Sequence, residues 1–175
     1  MPTPFPWVFP YVQEPRPKDS PFRDRPLMRP AVPIGIVGPS GPVGVAALVD
    51  SGADHVLAAP WVAQAAGCDL SALADIEIRI GGGVRAVRFT TVELVLGPPD
   101  GADDDLIVWE ADVGFFDAWE PAWPAVLGQT GFFDRFTVTM SRQAMLLSVE
   151  DWDAFDERFG VPAAPGAEPP PRFTL

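Results

Sequence analysis

The stretch ALVDSGAD, residues 47–54, ends an apolar run on an aspartate and follows it with a hydroxyl and a glycine. Ala47, Leu48 and Val49 belong in a buried strand, which places Asp50 where that strand stops. Gly52 lets the chain turn tightly enough for backbone N–H groups to face a carboxylate. The Ser51 hydroxyl can fix the loop by bonding to backbone. The tripeptide alone says little, since Asp-(Ser/Thr)-Gly arises by chance in roughly one chain in ten of this length. Its surroundings decide the reading.

Upstream, AVPIGIV (31–37) and VGVAALV (43–49) flank the turn-rich spacer GPSGP, which is a hairpin signal running directly into Asp50. Downstream, VLAAPWVAQAAG (56–67) reads as a short helix-like stretch ended by Gly67. IEIRI (76–80), the triplet Gly81-Gly82-Gly83 and VRAVRFTTVELVL (84–96) alternate as a second hairpin. LIVWEADVGF (106–115) is a further strand after the acidic loop PPDGADDD. Residues 120–140 read as loop, short apolar strand, tight Gly turn, one helical turn and strand. AMLLSVE (144–150) closes the sheet, and DWDAFDERFG (151–160) suits a helix with acids in its first turn. Short strands at turn-rich spacing predict an all-β fold, a small barrel with one or two short helices.

The ends differ in composition. The 22 prolines concentrate at the two termini. Residues 1–28 cannot hold a helix or a central strand and read as a proline-rich arm. Phe5, Trp7, Phe9 and Tyr11 give that arm surfaces to pack on a body or a partner; a segment without fixed structure is the alternative. Residues 29–159 form the expected domain, and 160–175 a proline-rich tail.

Bulk properties narrow the function. At 175 residues the chain holds one domain with an ordinary core. A net charge of -12 repels a phosphate backbone, so nucleic acid is a poor partner. Cys68 is the only cysteine, which excludes an intrachain disulfide and a cysteine-rich metal site. Cys68 itself reads as a small buried hydrophobe, and core packing is the first expectation for each tryptophan. No metal and no cofactor is expected. No apolar run reaches membrane-spanning length, and MPTPFPWVFPYVQ lacks the basic start of a signal peptide, so cytoplasmic residence without membrane contact is the expectation.

A carboxylate in this setting suits one chemistry especially well. Two of them brought together share one proton, because like charges a few ångströms apart cannot both ionise. One then activates water as a base while the other polarises a carbonyl as an acid. ALVDSGAD resembles the active-site segment of the retropepsin-like aspartic proteases, the single-domain family found in retroviruses and in cellular genomes. Ala125-Val126-Leu127-Gly128-Gln129 followed by TGFFDRFTV resembles that family's hydrophobic-hydrophobic-Gly segment, which passes behind the active-site loop. IRIGGGVRAVRF, residues 78–89, is similar to its glycine-tipped flap. The three landmarks keep the family's order and span about residues 31–149.

The resemblance implies a closed β barrel of the retropepsin-like type, with Asp50 catalytic and Ser51 and Gly52 in its loop. It implies substrate contacts from Ala53, Asp54, Ile80, Gly81, Gly82, Gly83 and Val84, and support from Leu127, Gly128 and Gln129. His55 would line the groove without a catalytic role. Two departures stand out. Ser51 replaces a commoner threonine while keeping the hydroxyl. Gln129 stands where many members carry an arginine that pairs with the aspartate matching Asp54; it donates hydrogen bonds but supplies no charge. The acidic Asp103, Asp104 and Asp105 and the tryptophans Trp109, Trp119 and Trp123 are not explained by the match.

Only one Asp-(Ser/Thr)-Gly exists, so a two-carboxylate mechanism needs a homodimer with Asp50 at its two-fold axis. The expected activity is hydrolysis of peptide bonds in a peptide or protein substrate. The alternative is a non-catalytic dimeric β module of the same fold that binds peptide or protein. An unrelated β domain with a coincidental Asp-Ser-Gly is the third reading.

Overall fold

Alternation at residues 31–49 builds the wall on which the rest of the molecule assembles. Ala31, Val32, Ile34 and Ile36 are buried from one strand, and Val45, Ala47 and Val49 from the next. A computed structural model describes residues 5–14, 21, 26–80, 82–99, 101, 105–117 and 122–160. In chain order its elements are β1 (Trp7–Pro10), β2 (Val12–Glu14), β3 (Leu27–Arg29), β4 (Ala31–Gly38), β5 (Gly41–Val49), β6 (Val56–Ala58) and α1 (Pro60–Ala66). Then follow β7 (Ile76–Ile80), β8 (Gly83–Leu96), β9 (Ile107–Phe116), β10 (Ala125–Leu127), β11 (Thr137–Ser141), β12 (Leu146–Glu150) and α2 (Trp152–Phe159).

Strand order in the main sheet is β4-β5-β10-β6-β9-β8-β7, and a second pairing of β4 with β8 closes six of these strands into a barrel. Closure leaves β7 outside the ring, where among the described strands it pairs with β8 alone. The core fills the barrel with small and branched side chains near β4 and β5 and with aromatics near β9, including Trp109, Phe115, Phe132 and Phe136. At about 25 cal/mol per Å² of apolar surface removed from water, side chains of this size are the main source of stability.

Residues 56–58 were expected to open a helix and instead form β6. A three-residue apolar run has no period of its own, and here pairing with β9 and β10 decides its state. The helix starts at Pro60, whose missing N–H costs nothing at a first turn, and ends at Gly67 in the left-handed conformation. The thiol just past it is half-buried, and burial pushes Cys68 above its ordinary range, so it stays protonated at neutral pH.

The first strand is more deeply integrated than a proline-rich arm suggests. Trp7 and Phe9 pair antiparallel with Val149 and Leu147, giving a second sheet in the order β1-β12-β11. Trp7, Phe9 and Tyr11 are all buried in the main core. β1 is an edge strand, so Pro10 at its end breaks no ladder on both sides. β2 and β3 form a separate ribbon. Glu14 on that ribbon accepts from Arg29 Nε at 2.9 Å and from the buried Trp123 Nε1 at 3.2 Å, tying it to the segment before β10.

At the other end, Glu150 is fully buried and meets Arg158 from α2. Asp151 caps α2 by accepting from Ala154 N at 2.8 Å. Among the described residues no helix is long and apolar enough to cross a membrane. Residues 1–4, 15–20, 22–25 and 161–175 lie outside the description, as do Gly81, Asp103, Asp104 and Trp119.

Candidate active site

β10 is inserted between β5 and β6, parallel to the first and antiparallel to the second. The loop that carries Asp50 must therefore arch over the end of β10 to reach β6. Four backbone hydrogen bonds fix that arch. Asp50 N donates to Leu127 O at 3.1 Å, and Gln129 N donates to Ala53 O at 2.8 Å. Thr130 N donates to Asp54 O at 2.9 Å, and Val56 N donates to Thr130 O at 3.2 Å. The Leu127-Gly128-Gln129 segment thus lies directly behind the loop.

Gly128 makes the close approach possible. A Cβ there would lie 2.3 Å from His55 O and 2.7 Å from Ala53 O, both backbone atoms. Only glycine fits between the two chains.

Within the loop, Gly52 N donates to Asp50 Oδ1 at 2.9 Å, which orients the carboxylate. Any aspartate in a tight turn makes such a bond. What distinguishes Asp50 is its display: the residue is exposed, as are Ser51 and Gly52, on a loop pinned from below. Asp54 is also exposed, and Ala53 is half-buried.

The Gln129 side chain reaches across the arch. Its Nε2 donates to Ser51 O at 2.7 Å, so the uncharged amide braces the loop itself. Replacing Gln129 with alanine removes one hydrogen bond and is expected to cost about 1 kcal/mol. Thermal unfolding would register this as a loss of about 2–4 °C for a chain of this size.

Behind β10, residues 131–136 turn on aromatic anchors. Trp109 Nε1 donates to Gly131 O at 2.8 Å, and its ring meets Phe136 edge-on at 5.0 Å. Burial draws the Arg135 guanidinium down from its usual range, opposed by the charge of Asp134. Trp109 and Trp123 are both buried, and Trp109 anchors the turn that follows Gln129.

The glycine-tipped hairpin is present as β7 and β8, in register from Ile76↔Val87 to Ile80↔Gly83. Gly82 has φ +80, the left-handed turn conformation for which a glycine tip is needed. Val84 is exposed, and Ile80 and Gly83 are half-buried. The expectation for Gly81 lies outside the described residues.

The base of this hairpin meets the wall of the site. Leu57, Val87 and Phe116 form a small buried cluster apart from the main core, joined by Ile78, Ile80 and Phe89. His55 lies edge-on to Phe89, with ring centroids 5.1 Å apart. Leu57 follows His55 by two positions, so the cluster links the far end of the Asp50 loop to the hairpin. Sequence reasoning missed Leu57, Phe89, Phe116 and Thr130. Alternation in residues 84–96 marks Val87 and Phe89 as sharing a face, but not what that face covers.

One ionic feature borders the same region. Arg88 Nε binds Asp75 Oδ1 at 2.8 Å, and its Nη1 lies 3.4 Å from Asp117 Oδ1. The hydrogen bond and charge of Asp75, then the charge of Asp117, hold the guanidinium above its already high range. Among the described residues no group of three or more His, Cys, Asp or Glu side chains is placed to hold a metal ion.

The chain has the same fold as a crystallised retropepsin-like aspartic protease from Rickettsia conorii. The two match over 85% of this chain and 96% of that one, with a TM-score of 0.50 and 15% sequence identity. The six-stranded barrel with its inserted β10 is therefore of the retropepsin-like type. No protein-family model matches the chain, and no curated protein matches it.

Proposed function

We propose that the protein is an aspartic endopeptidase that acts as a homodimer, with one Asp50 contributed by each chain. The observation that carries this reading is the display of Asp50 on a loop pinned by β10 through Leu127 O and through the tight packing of Gly128. An exposed carboxylate, rigidly held, is half of a two-carboxylate site. Two such loops meeting at a two-fold axis bring the pair to a separation where both cannot be ionised. The ionised member takes a proton from a water held between them, and that water attacks the peptide carbonyl. The protonated member donates a hydrogen bond to the carbonyl oxygen, and the proton then passes to the leaving nitrogen.

Under this reading Ser51 and Gly52 shape the loop, and Ala53 and Asp54 offer backbone and carboxylate contacts to an extended peptide. Ile80, Gly81, Gly82, Gly83 and Val84 cover that peptide from the hairpin side, while Leu127, Gly128 and Gln129 support the loop. Residues 29–159 carry the catalytic domain. A cytoplasmic location fits a single unpaired cysteine.

Incubating the protein with a peptide library, with and without a statine peptide, tests the proposal. Cleavage that the inhibitor blocks, by a species sedimenting as a dimer, is the expected result. Binding of the statine peptide without cleavage of any library member would instead favour a peptide-binding module. Cleavage by a monomer would sink the two-chain site.

A further inference from the structure

We infer that Arg88 is a positioning residue that holds the β7–β8 hairpin against the wall of the Asp50 site; the inference rests on the proposed function. Its place in the topology is the first argument. Val87 is the last residue of β8 to pair with β7, facing Ile76, and Arg88 is the first beyond it, facing Phe115 on β9. Arg88 therefore stands at the junction where β8 leaves the barrel and becomes one arm of the hairpin. Since β7 lies outside the closed ring, that junction is the natural hinge.

The second argument is what the guanidinium holds. Asp75 immediately precedes β7, and Asp117 immediately follows β9. Arg88 thus ties the start of the free strand to the end of a barrel strand, through its own position on the strand between them. A planar fork with several donors can serve two carboxylates at once, which a lysine ammonium on a single point does less well.

The third argument is sidedness. Strand alternation sends Val87 and Phe89 to the face opposite Arg88. On that face they join Leu57, Phe116, Ile78 and Ile80, and Phe89 touches His55. The hairpin is gripped on one face by packing that leads to the Asp50 loop, and on the other by one cation between two anions. Losing the ionic grip leaves the apolar contact as a pivot. The hairpin then samples open positions in which a bound peptide is less well covered.

Amide hydrogen exchange and peptide cleavage together test this. In Arg88→Gln, exchange over residues 76–87 is expected to rise roughly five-fold while β4 and β5 stay unchanged. KM for a cleaved peptide is expected to rise by a similar factor, with kcat within about two-fold of the parent. Asp75→Asn combined with Asp117→Asn should act alike with the arginine kept, so a folding failure of one variant leaves the other decisive. Arg88→Lys should fall between. Raising salt from about 0.05 to 0.5 M should loosen the hairpin of the parent and not that of Arg88→Gln.

Unchanged hairpin exchange in both charge-removing variants overturns the inference. So does a rise spread equally over β4 and β5, which would mark a merely structural residue, or a looser hairpin with KM unmoved. If the parent protein cleaves no peptide, the proposed function falls, and the exchange data alone decide whether Arg88 holds the hairpin.

Discussion

Asp50→Asn is expected to abolish the proposed peptide cleavage, by about 10³-fold or more, while leaving the barrel folded and the proposed dimer intact. Asparagine preserves the size of the side chain and can still accept from Gly52 N through its oxygen. It can neither take a proton from water nor share one with its neighbour. The expected loss is therefore chemical, and circular dichroism and sedimentation should be unchanged. A sharper form of the experiment mixes variant and parent chains. If each site needs both carboxylates, activity falls as the square of the parent fraction, to about one quarter at equal amounts of each chain. A fall to only about three quarters at that mixture would mean that one carboxylate suffices, and a linear decline that each chain acts alone.

The second large effect is structural and sits directly beneath the first. Gly128→Ala places a methyl group 2.3 Å from His55 O and 2.7 Å from Ala53 O. Neither atom belongs to a flexible side chain, so relief requires the Asp50 loop to lift from β10. Overpacking of this kind costs about 3 kcal/mol, at the upper end of its usual range. In a chain of this length that lowers the unfolding midpoint by roughly 6–12 °C. Cleavage should fall further than stability, because the four hydrogen bonds that pin the loop are disturbed together. Gly44→Ala is the control: a Cβ there meets nothing within 4 Å, and the midpoint should hold or rise slightly. Equal effects at the two glycines would refute the crossing geometry as the cause.

Some of this arrangement can be read in residue order. The hairpin at 31–49 and the aspartate at its end follow from alternation and turn chemistry, which act between near neighbours. The same holds for the Gly82 tip and for the Asp151 cap of α2. Gly128 is legible only through resemblance, because nothing near it in sequence demands a glycine; the demand comes from His55 and Ala53, far away in the chain. β1 is obscured because Pro6 precedes it and Pro10 is its last residue, and burial on β12 overrides the local signal. The role of Arg88 is hidden in the sequence for a related reason. Charged residues on strands are usually solvated, and its role arises only where Asp75 and Asp117 converge on it. Gln129 is the instructive intermediate. Sequence identifies it as an uncharged donor, and the structure supplies the acceptor, Ser51 O.

The pairing of Trp7 with Val149 and Phe9 with Leu147 has a consequence for how the molecule comes into being. β1 leaves the ribosome long before its sheet partner β12. Until β12 emerges, three large aromatic side chains, Trp7, Phe9 and Tyr11, have no sheet to complete and stay open to other contacts. Closing so long a stretch of chain is entropically slow, and contacts between residues this distant in sequence lengthen the folding time. Nascent chains halted before β12 should bind chaperones through this aromatic segment, and release should coincide with synthesis of β12.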